Sequence, residues 1–186
     1  MNEMAHLGGY YEEGDGHTFT PDIWGWLLLE YGVESVLDVG CGTAVNLKWF
    51  QDMGCKVLGV EGHPDAVLKA KCGPIILHDY TKGPLDIGQR FDLCISTEFV
   101  EHVDAKYENN WFATMRCADR VLMCHAVPGQ GGHHHVNEQT AEYWVERFGQ
   151  HGFRNLVVES AMFQETTRRK PAPWGRNTLM LFEKVA

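Results

Sequence analysis

No two of the six cysteines, Cys41, Cys55, Cys72, Cys94, Cys117 and Cys124, form a C-x-x-C pair. That removes the spacing of a zinc site or a disulfide framework and leaves buried free thiols as the reading. No stretch approaches the roughly 18 consecutive apolar residues of a membrane span. The start, Met1-Asn2-Glu3-Met4-Ala5-His6, has neither the positive charge nor the apolar core of a secretory signal, so a cytoplasmic protein without a membrane partner is expected. Basic residues are also few. Against 25 Asp and Glu there are 16 Lys and Arg, a net charge of -9, the wrong sign for the basic face of a general nucleic-acid binder. Repeats, low-complexity tracts and linkers are missing too. The 186 residues therefore read as one domain over 1–186, long enough to bury roughly 70% of its unfolded surface.

What is present centres on Ser35-Val36-Leu37-Asp38-Val39-Gly40-Cys41-Gly42-Thr43-Ala44. Aliphatic and β-branched residues run into two glycines, after which Ala44, Leu47, Phe50 and Met53 recur at three-residue steps. The pattern is strand, tight turn, helix. Gly40 and Gly42 permit positive φ and let a ligand lie against bare main chain, while the helix start points N–H groups at it. This is a cradle for a nucleotide or nucleoside. A dinucleotide fingerprint wants a small residue three places after the second glycine, and Val45 stands there. Asp38 would repel a pyrophosphate but attract a ligand carrying an ammonium and a sulfonium. S-adenosylmethionine (SAM) is such a ligand.

Val36 to Thr43 resembles motif I of the class I SAM-dependent methyltransferases, usually hydrophobic-Asp-x-Gly-x-Gly-x-Gly, with Ala44 in place of the third glycine. Phe91-Asp92-Leu93-Cys94-Ile95-Ser96 followed by Thr97-Glu98-Phe99-Val100-Glu101-His102-Val103 is similar to motif IV of the small-molecule members. The resemblance covers Ser35 to Glu183. It implies an α/β fold: a doubly wound, mostly parallel seven-stranded sheet with an antiparallel last strand, helices on both faces, SAM as cofactor and a small-molecule acceptor. Seven strands are also read directly, beginning at Ser35, Lys56, Pro74, Phe91, Val121, Phe153 and Asn177, the sixth running to Glu159. A leading helix over 21–34 starts with Thr20 as N-cap and Pro21 at its first position and stops at Gly32. Further helices are expected over 63–70, after Asp104 with the face Tyr107, Trp111, Met115 and Ala118, and from Asn137 to Gly152. None is placed between the last two strands.

The carboxyl ends of the first five strands carry Asp38, Glu61, Asp79, Thr97 and His125, where open α/β sheets bind ligands. Glu61, about twenty residues past the turn, suits a ribose diol. For Asp79 the resemblance implies an acceptor for the adenine amino group. Residues 1–20, with Tyr10 and Tyr11, are expected to form a flap over the cofactor. If a helical turn follows the fourth strand, Glu98 and His102 share a face. His102 is then a general base held by Glu98 or a histidine satisfied by it, and the structural role is preferred because geometry must precede a base assignment. After Gly131-Gly132 come His133, His134 and His135, read as a substrate loop with His134 approaching the reacting atom. Consecutive histidines diverge and no carboxylate is close in sequence, so no metal is expected. Arg168 and Arg169 are expected to clamp an anionic acceptor together with His125, His133 and His135. A catalytically silent SAM-binding domain stays open, as does a nicotinamide oxidoreductase, although Asp38 and Val45 speak against the latter.

Overall fold

The computed structural model describes residues 4–7, 9, 12–168 and 177–185; Tyr10, Tyr11 and Arg169 lie outside them. Helix α1 (Pro21–Tyr31) begins at a proline, whose fixed φ suits a first helical turn, and ends at Gly32 in the left-handed region. Thr20 stands at its N-cap without a side-chain capping bond. Strand β1 (Ser35–Val39), helix α2 (Val45–Asp52) and strand β2 (Lys56–Glu61) form one crossover unit. Its parallel register runs from Ser35 opposite Lys56 to Val39 opposite Val60. Then follow α3 (Pro64–Leu68), β3 (Ile75–Leu77), β4 (Phe91–Ser96), α4 (Glu108–Met115), β5 (Ala118–Met123), α5 (Ala141–Gln150), β6 (Phe153–Asn155), α6 (Val157–Arg168) and β7 (Met180–Lys184).

The sheet order is β3-β2-β1-β4-β5-β7-β6. Strand β7 is antiparallel to both neighbours, so β6 runs parallel to the other five. This is the expected doubly wound, mostly parallel fold. Alternation along the strands feeds two cores. Leu37, Val39 and Val121 pack with Trp111, Phe112 and Trp144 from α4 and α5. Val36, Leu93 and Ile95 pack with Trp24, Leu47, Phe50 and Phe163 from α1, α2 and α6.

Besides shorter ends at α3 and β7, three boundaries differ from the sequence reading. The sixth strand ends at Asn155, and twelve residues expected to be strand or loop form α6. Strand β5 begins at Ala118, which had been placed on a helix face. Helix α5 is capped by Thr140, whose hydroxyl accepts from the Tyr143 N–H, while the Asn137 amide is drawn away to Glu108 at 2.9 Å. The strand order reverses between β1 and β4, which opens a crevice at their carboxyl ends.

Candidate active site

A cavity of about 520 Å³ fills that crevice. Its floor is the turn after β1. Gly40 has φ +80, and a Cβ there would lie 2.5 Å from the Phe99 ring, so only glycine fits. The N–H groups of Gly40 and Cys41 donate to the Val60 carbonyl at 2.9 and 3.2 Å. Glu61 fastens the turn from the side: its carboxylate accepts from the Gly42 N–H at 2.8 Å and from the His63 N–H at 2.7 Å. Burial pushes the Glu61 carboxyl up, and these backbone donors pull it part of the way back.

Asp38 is 2% exposed and lines the cavity. Among the described residues no donor or cation contacts its carboxylate, and burial, followed by the charge of Glu61, drives its pKa well above the carboxylate range. Asp79 differs. Partial burial raises it, but donors win: the Thr81 N–H and hydroxyl at 2.8 and 2.7 Å, and His6 Nε2 at 2.9 Å from the other oxygen, hold its carboxyl below the usual value.

His6 belongs to the segment expected as a flap over the cofactor, for which the sequence reading named only Tyr10 and Tyr11. His6, Leu7, Gly9, Gly14, Asp15, His17 and Thr18 line the cavity. Ion pairs Glu12–Lys69 (3.1 Å) and Glu13–Lys71 (3.5 Å) tether the segment outside it. Tyr10 and Tyr11 lie outside the described residues.

The opposite wall comes from the segment after β4 and the loop after β5: Thr97, Glu98, Phe99, His102, and Gln130 to His133 with His135. The expected Glu98–His102 contact does not form. Glu98 takes φ +51 and precedes the helical turn Val100–His102, so the two do not share a face; its carboxylate accepts instead from the Cys124 thiol at 3.1 Å. His102 Nδ1 is buried, with no hydrogen-bond partner among the described residues. Burial, then the neighbouring His135, lowers the His102 pKa to about 4, so the imidazole is neutral. Glu101 is fully buried, and among the described residues neither oxygen has a hydrogen-bond partner of good geometry. Its pKa is driven well up by burial and by the Glu98 charge.

Of the three consecutive histidines, His133 and His135 line the cavity. His134, in the left-handed region at φ +52, does not, so the backbone turn removes it from the reacting position assigned to it. His133 and His135 thus share the cavity, against the divergence expected of consecutive histidines. The missing carboxylate arrives from a distant segment: Glu101, His102 and His135 place ligand atoms within 4.8 Å of one another. No sequence signal joined residue 135 to residues 101 and 102. His125 is not a substrate contact either. It is 1% exposed, with Nδ1 3.1 Å from the Ala126 carbonyl and its ring toward Trp144 in the core. Arg168 ends α6 away from the cavity, exposed and engaged by Glu165 at 3.4 Å and Asn177 at 2.9 Å.

A methyltransferase domain family matches residues 37–124, the part that holds Asp38, Gly40, Gly42, Glu61, Asp79, Thr97 and His102. Over 74 residues, 37% of the chain, the sequence is 34% identical to the ubiquinone biosynthesis O-methyltransferase of Nitrobacter winogradskyi. The matched part spans 28% of that relative's length. A SAM-dependent methyltransferase from Archaeoglobus fulgidus shares the fold with a TM-score of 0.61 at 14% identity, over 88% of this chain and 91% of that one. A magnesium protoporphyrin IX methyltransferase from Synechocystis PCC 6803, solved with bound SAM, gives 0.61 at 15% identity, over 89% and 76%. Among the described residues no helix is long and apolar enough to cross a membrane.

Proposed function

We propose that the chain is a class I SAM-dependent methyltransferase, as its methyltransferase-domain match and its fold support, and that it transfers the methyl group of SAM to a small acceptor, with oxygen as the receiving atom. The observation that carries the cofactor assignment is Asp38, a carboxylate buried at the cavity floor without a compensating partner among the described residues. Such a group is costly in a ligand-free protein and suits the cationic methionyl end of SAM. Glu61 has lone pairs left after its two amide bonds for a ribose diol. Asp79 stands one strand further along the same edge, for the adenine amino group. Thr97, Gly40 and Gly42 line the space between.

Bound there, SAM supplies a methyl group on a sulfonium, already activated for in-line displacement. The chain's own contribution is then alignment and exclusion of water. His6, Leu7 and Gly9, with Gly14, Asp15, His17 and Thr18, line one side of the cavity, and His102, His133 and His135 border the other, where the acceptor would lie. Oxygen as acceptor atom is carried over from the partly matched O-methyltransferase. An anionic acceptor has no support from Arg168, and no Lys or Arg is among the described cavity-lining residues.

Calorimetry with SAM, S-adenosylhomocysteine and a nicotinamide dinucleotide tests the reading. The first two are expected to bind and to raise the melting temperature, by about 2.7 kcal/mol of stability at a hundred times the dissociation constant. Binding of the dinucleotide alone would overturn the cofactor. Binding of SAM with no S-adenosylhomocysteine formed from any hydroxyl acceptor in a metabolite extract would favour the silent domain.

A further inference from the structure

We propose that Glu101, His102 and His135 bind a divalent transition-metal cation on the acceptor side of the cavity. Their ligand atoms already lie within 4.8 Å of one another. The two segments that bring them are joined main chain to main chain: the N–H groups of Val136 and Asn137 both donate to the Glu101 carbonyl, at 2.9 and 3.1 Å. The site is therefore built into the fold rather than assembled from surface side chains.

Three further features point to a ligand. Glu101 is fully buried, and among the described residues neither of its oxygens has a hydrogen-bond partner of good geometry; buried carboxylates are paired or coordinate a cation. The His102 ring nitrogen Nδ1 is likewise buried, with no hydrogen-bond partner among the described residues. His135 Nδ1 is 3.0 Å from Glu138 Oε1, the carboxylate-to-imidazole bond that fixes the tautomer and orientation of metal-ligating histidines and leaves Nε2 for the metal. Glu138 is itself anchored by the N–H groups of Gly129 and Gly131, at 2.7 and 2.6 Å. Space before Nε2 is kept by Gly132, where a Cβ would lie 2.4 Å from that atom.

Two imidazoles and one carboxylate suit Mn²⁺, Fe²⁺, Co²⁺ or Zn²⁺ rather than the all-oxygen shells of Mg²⁺ and Ca²⁺. Glu98 lines the same wall of the cavity and offers a further carboxylate there. Three protein ligands leave coordination positions open. His102 and His135 both line the cavity, so the open side faces the bound acceptor, which the cation would hold through oxygen. This last step rests on the methyltransferase reading; cation binding does not.

The test uses the full chain, freed of metal with a chelator, the chelator removed, and titrated with Co²⁺ in the absence of SAM. One equivalent is expected to bring up ligand-field absorption of nitrogen and oxygen coordination, without thiolate charge-transfer bands, and to raise the melting temperature; Mn²⁺ or Zn²⁺ should displace it. Glu101→Gln, which keeps the side-chain shape, and His135→Asn should each weaken Co²⁺ at least tenfold while retaining SAM binding by calorimetry. That second measurement separates a failed metal site from a failed cofactor assignment. Absence of the bands from the wild-type protein, dominance of thiolate charge transfer, or undiminished Co²⁺ affinity in both variants would overturn the proposal.

Discussion

At position 38 a single carboxylate carries opposite meanings for the ligand-free and the ligand-bound protein. Its folded pKa lies above the unfolded value of about 3.9. The folded state therefore holds a proton that the unfolded state has already lost, and stability falls as pH rises from about 4 through the folded value. Asp38→Asn removes that slope. We expect the variant to melt higher than the wild type without ligand at pH 7 to 8, and to bind SAM some 10- to 100-fold more weakly, the loss of a charge-assisted contact worth about 1.5–3 kcal/mol. Melting curves over pH, paired with calorimetry, check both halves; equal SAM affinity would remove Asp38 from the cofactor site. Asp38 and Glu61 were legible because each sits at a fixed distance from the glycine turn, so local spacing already implied shared space. Glu101, His102 and His135 were not, since their meeting depends on the path of the loop after β5. His125 and Arg168 misled for the converse reason: their residue types suit a site, but the core holds the first and α6 carries the second outside.

Helix α6 was the element missed, and its composition explains why. It opens on Val157 and Val158, which prolong the β-branched pattern of the preceding strand yet are 67% and 79% exposed. Its buried positions are Ser160, Phe163 and Thr167, two of them polar, so no apolar stripe announces a helix. The burial of Ser160 has a specific cause. Its hydroxyl accepts from the buried Leu181 N–H at 2.9 Å and donates to Asn155 Oδ1 at 3.0 Å, tying α6 to β7 and β6. Ser160→Ala leaves that N–H without a partner and should cost about 1–3 kcal/mol, read as a lower urea midpoint with unchanged slope. Ser160→Thr, which keeps the hydroxyl, should cost less. Strand–turn–helix units such as β1-α2-β2 were legible because alternation and helical spacing both persist within them. At α6 the two patterns overlap and the helix is set by tertiary hydrogen bonds.

For the whole molecule, the two cores and the seven-stranded sheet form the rigid frame, and the described residues between His6 and Thr18 are fastened to it differently. Their tethers outside the cavity, Glu12–Lys69 and Glu13–Lys71, join exposed side chains, and pairs of that kind contribute about 0–1 kcal/mol and weaken with salt. Inside, the segment meets the sheet edge across the cavity, with the His6–Asp79 bond as a direct polar link. None of the described residues between His6 and Thr18 is fully buried, which gives them a low free energy of local opening, so they should open far more often than the sheet unfolds. A ligand filling the cavity would touch both the turn after β1 and this cover, and would shift the population toward the closed form by its own differential contacts. A glutamate-specific protease provides the measurement, because Glu12 and Glu13 lie in the cover. Cleavage there should be rapid in the ligand-free protein and faster still in 0.5 M salt, on the order of a tenfold ionic-strength change in screening. Saturating S-adenosylhomocysteine should slow it at least tenfold, while amide exchange in β1 and β4 stays slow throughout. Ligand that binds by calorimetry yet leaves cleavage at Glu12 and Glu13 unchanged would mean that the cavity is entered and left without moving this segment, and that its contacts with the sheet edge serve the fold alone.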